Sequence, residues 1–300
     1  MAKWRGQTNA GLWGIKLFVF VLRHVGLRFA YFILRFVAIY YFLFSFKSNK
    51  SLFYYFHNVL KFAKFNAILK IYKNYFVFGQ TLLDKVALLS GAFTKFTIDH
   101  EGAENLVNLA KNGKGGILVS GHIGNWEIAG QLLNRLESPF NILVYENEHK
   151  VIKNYLTAVE SKKNVSVIPI KEGEMGHIIQ LHNAFSNNEL VVMHGDRFRD
   201  HAATMELPFL GKMAKFPTGP FMLAARFGVP ICVVFAVKET RTHYRFFATP
   251  PMGGTRSRNK EQQNIDIASM MKNYVSEFEK YVRMYPEQWF NYYPFWEEHA

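Results

Sequence analysis

The chain has 300 residues, 49% of them hydrophobic and 16% aromatic, and a formal net charge of +13. That length is enough for one large core or two small domains, and a single cysteine, Cys232, excludes a disulfide framework or a cysteine metal site within one chain. The charge is unevenly placed: residues 1–100 hold fourteen Lys/Arg against two acids, Asp84 and Asp99, so nearly all the positive excess lies in the first third.

A basic, aromatic-rich segment suits nucleic acid or membrane. Nucleic-acid binding calls for aromatics exposed beside cations on a sheet or groove. Here the aromatics fall in long apolar runs, over 12–20 and 27–46, broken mainly by Lys16, Arg28 and Arg35. This pattern fits an anionic lipid surface, and no nucleic-acid partner is expected. The second run is about long enough to span a bilayer, which takes on the order of 20 residues. Arg35 near its centre costs a lone helix roughly 3 kcal/mol on insertion scales. The run is too long for a signal-peptide core and no Ala-x-Ala site follows it. One or two helices embedded in, or bound to, the membrane and kept in the mature protein are expected.

Residues 51–93 read as basic amphipathic helices, with Phe53, Phe56 and Leu60 on an apolar stripe and Lys61, Lys64, Lys70 and Lys73 on a cationic one. This places a membrane-associated helical region at 1–95 and a catalytic region at 96–300. In the latter the pattern predicts strands at 98–102, 117–119, 142–145, 165–170, 190–194 and 230–237, with 244–248 beside the last. Helices are predicted at 103–112, 126–136, 151–162, 174–186, 219–227 and 259–285. Alternating strand and helix define an α/β fold with a mostly parallel sheet flanked by helices, whose sites sit at the C-terminal ends of strands. Cys232, in an apolar strand, reads as a packed core thiol.

The segment Ser120-Gly121-His122-Ile123-Gly124-Asn125-Trp126-Glu127 carries the chemistry. It sets a histidine in a glycine-rich strand-to-helix turn and a carboxylate five residues on. On a continuous helix those two would lie about 140° apart. They meet only if His122 is in the turn and Glu127 in the first helical turn. Glu127 would then accept a hydrogen bond from one ring nitrogen and leave the other as a base. Taken alone, the pair is better explained as a turn histidine and a dipole-favoured first-turn acid.

The surrounding residues change that reading. Gly-His-Ile-Gly-Asn-Trp-Glu resembles the His-x4-Asp/Glu block of the lysophospholipid acyltransferase superfamily, in the form typical of the late acyltransferases of lipid A biosynthesis. Three further blocks follow in the family's order. They are Val191-Val192-Met193-His194-Gly195-Asp196-Arg197, then Leu207-Pro208-Phe209-Leu210-Gly211-Lys212 with Phe216-Pro217-Thr218-Gly219-Pro220, and last Tyr285-Pro286-Glu287-Gln288-Trp289-Phe290. Two departures bear on the acceptor: Asn291-Tyr292-Tyr293 stands where histidine and arginines are usual, and the link over 212–216 is longer than common.

The resemblance implies a glycerolipid-acyltransferase-like fold and transfer of a fatty acyl group from a thioester to a lipid hydroxyl, the default acceptor being lipid A precursor and the alternatives a lysophospholipid, a glycolipid, an aminolipid or a polyene alcohol. The donor would be an acyl carrier protein or coenzyme A thioester, with no metal or other cofactor. The location would be the bacterial inner membrane, with the catalytic domain on the cytoplasmic side. His122 would be the general base and Glu127 would hold its tautomer. Backbone N–H groups near Gly124 and Asn125, or a nearby cation, would stabilise the oxyanion. Gly124, Asn125, Trp126, Asp196, Arg197, Lys212, Thr218 and Gly219 would contact substrate, Arg197 by gripping a phosphate and Asp196 by assisting the relay. His194 reads as a structural histidine. Two rivals stand beside this reading. In a metal-dependent hydrolase His122, Glu127, His194 and Asp196 would be ligands, at spacings that match no familiar ligand pattern. In a non-catalytic membrane-binding protein the N-terminal third alone would act.

Overall fold

The computed structural model describes residues 12–89, 91, 95–111, 113–125, 128, 139–145, 165–170, 176–198 and 202–296. The helices predicted at 126–136 and 151–162 fall almost wholly outside that set. The N-terminal region forms α1 (Leu12–His24), α2 (Leu27–Phe44), α3 (Phe46–Phe53) and α4 (Lys64–Leu89), with a π-helical turn at Tyr54–Val59. The single run expected over 27–46 breaks at Ser45, whose φ of −94° and ψ of 59° are not helical. The segment expected as helical from 51 to 93 breaks again before α4, where Lys61 takes a left-handed φ of 63°.

An eight-stranded sheet follows. Its strands are β1 (Thr97–Glu101), β2 (Gly116–Ser120), β3 (Phe140–Tyr145), β4 (Val165–Ile170), β5 (Leu190–His194), β8 (Pro230–Lys238), β9 (His243–Ala248) and β10 (Met252–Gly253). The order is β1-β9-β8-β2-β5-β3-β4, with β10 also on β8. All neighbours are parallel except β8 with β9 and with β10. Strands β2 and β8 are buried along their whole length, which explains their unbroken apolar sequences. The described covering helices are α5 (Ala103–Lys111), α6 (Gly176–Ser186), α7 (Gly219–Phe227) and α8 (Lys260–Met284).

The hairpin of β6 (Thr204–Phe209) and β7 (Lys212–Pro217) escapes the pattern reading. Its alternation is present, since Leu207, Phe209, Ala214 and Phe216 are buried. Pro208 and the lysines at 212 and 215 obscure it. A two-residue turn joins the strands, with φ of 55° at Leu210 and 82° at Gly211, the doubly left-handed geometry that suits strand twist. Glu279 of α8 accepts the Leu210 N–H at 2.6 Å and secures the turn.

One core joins the N-terminal helices to the sheet. Leu52, Tyr55, Phe56, Ala67 and Ile71 share it with Ile117, Val233, Phe278 and Trp289. Helix α2 packs Leu27, Ala30, Tyr31, Leu34 and Ala38 inward. At the α2–α4 crossing a Cβ on Gly79 would lie 2.4 Å from Leu34. The other face of α2 stays apolar yet exposed, with Phe29, Phe32, Phe36, Ile39, Tyr40 and Leu43. Among the described helices α2 is long and apolar enough to cross a membrane, with a mean hydropathy of 1.6 over 18 residues, as judged by length and composition alone.

The helical region is also tied to the sheet by buried charge. Asp84 of α4 pairs with Lys238 at the end of β8 and accepts hydrogen bonds from the Tyr31 and Tyr244 hydroxyls. Burial pushes the Asp84 carboxyl up and the Lys238 ammonium down, and the attraction between them opposes both shifts. Lys238→Ala strands a buried carboxylate and is expected to cost about 3–5 kcal/mol, whereas replacing both partners by apolar residues restores most of the loss. Denaturant unfolding in detergent across the double-mutant cycle measures this.

Candidate active site

Strands β2 and β5 pair in parallel with Ser120 opposite His194, and the Gly195 N–H continues the ladder to the Ser120 carbonyl at 2.8 Å. Two residues beyond each strand lie His122 and Asp196. The equal offset brings them together. Asp196 is 1% exposed. One carboxylate oxygen lies 2.7 Å from His122 Nδ1, and the other accepts the His122 backbone N–H at 2.9 Å and the Trp289 indole N–H at 3.3 Å. Burial alone would raise this carboxyl, but the charge and hydrogen bonds of His122, with Arg197 and His194 behind them, hold it well below the usual carboxylate range. An ionised Asp196 fixes the proton of neutral His122 on Nδ1 and leaves Nε2 as the basic nitrogen. The partner assigned to the ring from spacing was Glu127. Glu127 and Trp126 lie outside the described residues, and the Nδ1 position is taken by Asp196.

The C-terminal block braces this turn. Ile123 bridges to Trp289, Phe290 N–H donates to the His122 carbonyl at 2.9 Å, and Gly124 N–H donates to the Gln288 carbonyl at 3.0 Å. Gly124 has φ +67°, and a Cβ there would sit 1.9 Å from the Ala236 carbonyl oxygen, so only glycine lets the turn press on β8. The Asn125 N–H is likewise spent, on the Ala236 carbonyl at 2.7 Å. This corrects the expected oxyanion role of these two amides: both already have backbone acceptors. Asn125 is 1% exposed, and its side chain donates to Thr81 of α4 and to Tyr244. It ties the turn to the scaffold.

A cavity of about 1090 Å³ opens in front of His122. Gly124, Arg197, Thr218 and Gly219 line it, together with His194. Much of its wall is apolar, from Val144 of β3, Val192 and Met193 of β5, and Met222 and Leu223 of α7, and Phe78 and Leu82 of α4 close one side. Arg197 donates to the Phe290 carbonyl at 2.7 Å. Thr218 Oγ1 donates to the Ala203 carbonyl at 3.1 Å, which leaves its methyl and backbone as cavity wall. Lys212 lies in the β6–β7 hairpin, over the Tyr54 ring, and is not part of the described lining. Sequence reasoning missed the brace made by Gln288, Trp289 and Phe290. The resemblance of that block was its only signal.

The His194 ring stacks obliquely on His122 with centroids 4.3 Å apart. Burial, reinforced by the His122 charge, pushes its imidazole down to about 3. His122, His194 and Asp196 each offer one ligand atom within 4.8 Å of the others, so they can hold a metal ion by distance. Against this, both Asp196 oxygens are engaged by His122 and Trp289, and a metal would displace those bonds.

Fold and site together define a mostly parallel α/β protein with a histidine held by a buried carboxylate at the mouth of a largely apolar cavity. The chain belongs to the bacterial lipid A biosynthesis acyltransferase family, whose model matches residues 3–297. It is similar to the phosphatidylinositol mannoside acyltransferase of Mycobacterium tuberculosis, 22% identical over 195 residues, which are 65% of this chain and 58% of that protein. The Mycolicibacterium smegmatis protein of the same name is 20% identical over 184 residues, 61% of this chain and 57% of its own. The match thus spans less than two thirds of either relative. Among solved structures, the 1-acyl-sn-glycerophosphate (LPA) acyltransferase PlsC of Thermotoga maritima aligns with 88% of this chain and 97% of its own at 15% identity and a TM-score of 0.39.

Asp196→Asn keeps the shape of the pair but removes the charge that fixes the tautomer, and a turnover loss of about 10²–10⁴ is expected with little change in stability. Steady-state kinetics beside a thermal melt separates the two effects. The low His194 value has its own consequence. The unfolded chain takes up this proton near pH 6.5 while the folded chain resists it down to about 3, so stability falls as pH drops through that window. His194→Gln is expected to flatten the melting temperature between pH 6.5 and 4, and Tm against pH checks it.

Proposed function

We propose that this protein is a membrane-associated acyltransferase that moves a fatty acyl group from a thioester to a hydroxyl of a lipid, with lipid A precursor as the acceptor. The observation that carries the reading is the His122–Asp196 pair at the mouth of a largely apolar cavity. In the proposed step His122 Nε2 takes the acceptor hydroxyl proton as the oxygen attacks the thioester carbonyl. Asp196 holds Nδ1–H and stabilises the imidazolium that forms. Arg197 supplies positive charge to the developing oxyanion, a role that falls to a cation because the Gly124 and Asn125 amides are engaged. Collapse expels the thiolate, which takes the proton from His122. A covalent acyl-enzyme is not required. Glu127, the acidic member of the motif, is proposed to support the charge that develops on His122.

Membrane association is supported by the exposed apolar face of α2 and the cations Arg23, Arg28, Lys61 and Lys64 around it. Leu82, exposed on α4, also lines the cavity, so the site opens beside the surface that would meet lipid. Among relatives, phosphatidylinositol mannoside acyltransferases point to a glycolipid as the alternative acceptor. A second reading, a metal-dependent hydrolase, rests on the proximity of His122, His194 and Asp196.

Mass spectrometry of total lipids from a strain lacking redundant enzymes, expressing wild type or His122→Ala at matched abundance, tests the proposal. The expected result is one lipid short of a single acyl chain in the variant, which names the acceptor. Identical profiles would sink the reading. Transfer assayed with and without a chelator completes the test: unchanged activity is expected, and loss restored by metal would favour the hydrolase-type site.

A further inference from the structure

The far end of the cavity has a different character from its mouth. Helix α7 runs along it, with Gly219 and Pro220 lining the cavity at one end and Arg226 at the other. After α7 the chain enters β8 at Pro230, and β8 is parallel to β2. The C-terminal end of α7 therefore lies at the sheet edge opposite His122, about one strand length away, ~15 Å. There Arg226 is joined on the cavity wall by Arg256 and Lys260.

The three side chains are exposed, and packing fixes the backbone that carries two of them. Gly228, which ends α7 with φ +68°, is packed so tightly that a Cβ on it would lie 3.0 Å from Arg256 Cβ. Gly228 follows Arg226 by two positions, so the Arg256 backbone is fixed beside the end of α7. Gln263 ties the Arg256 loop to α8 by donating to the Ser257 carbonyl at 2.6 Å. Lys260, Gln263, Asn264 and Ile267 then line the cavity at the i, i+3, i+4, i+7 spacing of one helix face. The positive end of the α8 dipole points to the same place. Among the described residues no Asp or Glu lines this cavity, and no salt bridge engages Arg226, Arg256 or Lys260. Three cations on one wall, with no described acid among them and two amide side chains beside them, suit a doubly charged oxyanion.

We infer that Arg226, Arg256 and Lys260 form a phosphate-binding subsite of the cavity, one strand length from the catalytic histidine, that grips a phosphoryl group of one of the two substrates. This rests on the acyl-transfer reading only for why a phosphate is present. The binding itself needs no turnover. Two sources share the chemistry: the phosphopantetheine arm of the thioester donor, and a phosphorylated sugar on the acceptor.

Isothermal titration calorimetry on the full chain in detergent separates them, with two pairs of probes: 4′-phosphopantetheine against pantetheine, and glucose 1-phosphate against glucose. Wild type and His122→Ala are both expected to bind the phosphorylated member of one pair about tenfold or more tighter than its partner. The pair that is discriminated names the source. Arg226→Ala/Arg256→Ala is expected to lose the discrimination while keeping its melting temperature, and Lys260→Glu to lose it as well. If wild type discriminates neither pair, or if both variants retain the preference, the subsite is refuted. Because binding needs no turnover, a wild-type protein that binds phosphate but transfers no acyl group would count against acyl transfer and leave the subsite standing.

Discussion

The register of one parallel strand pair governs the site. Ser120 and His194 sit opposite each other, so β2 and β5 leave the sheet at the same level. Two residues later a histidine and an aspartate face each other across less than 3 Å. A one-residue slip of either strand would turn its side chains to the opposite face and part the pair. The buried ladder of β2, β5 and β8 is what prevents that shift, because every residue of β2 and β8 is enclosed. The geometry of the His122–Asp196 pair is inherited from the geometry of the sheet.

Three elements far apart in sequence hold the turn rigid. Strand β8 accepts the Asn125 amide, the C-terminal block accepts the Gly124 amide and pairs with Ile123, and Trp289 adds its indole N–H to Asp196. Helix α8 presses from another side, where a Cβ on Gly121 would lie 2.5 Å from the Phe278 ring. Such crowding fixes the backbone on both sides of His122, and Asp196 orients its ring.

The N-terminal helices belong to this assembly. The shared core, the Asp84–Lys238 pair and the Asn74 side chain, which donates to the Glu287 and Trp289 carbonyls, join α4 to the residues that brace the site. One face of these helices is spent on the sheet while the other remains apolar and exposed. That exposed apolar surface is thus mechanically continuous with the turn that carries His122.

Local pattern was enough for much of the fold. Strands such as 230–237 and helices such as 219–227 and 259–285 were legible because periodicity and flanking glycine or proline are properties of short segments. The β6–β7 hairpin was not, since proline and lysine masked its alternation. His122 was legible as a candidate site residue because its glycine-rich turn is written in consecutive residues. Its partner was not. Residues 122 and 196 are 74 apart, and nothing in either segment states that the strands bearing them are neighbours. The same holds for Trp289 on Asp196, for the backbone acceptors that occupy the Gly124 and Asn125 amides, and for Arg226, Arg256 and Lys260 on one wall. The sequence by itself determined the α/β alternation, the basic apolar N-terminal third and the histidine turn, all consequences of local order. Which strands adjoin, which amides are spent and which charges converge was decided only by tertiary structure, because those are distances between segments that packing alone brings together.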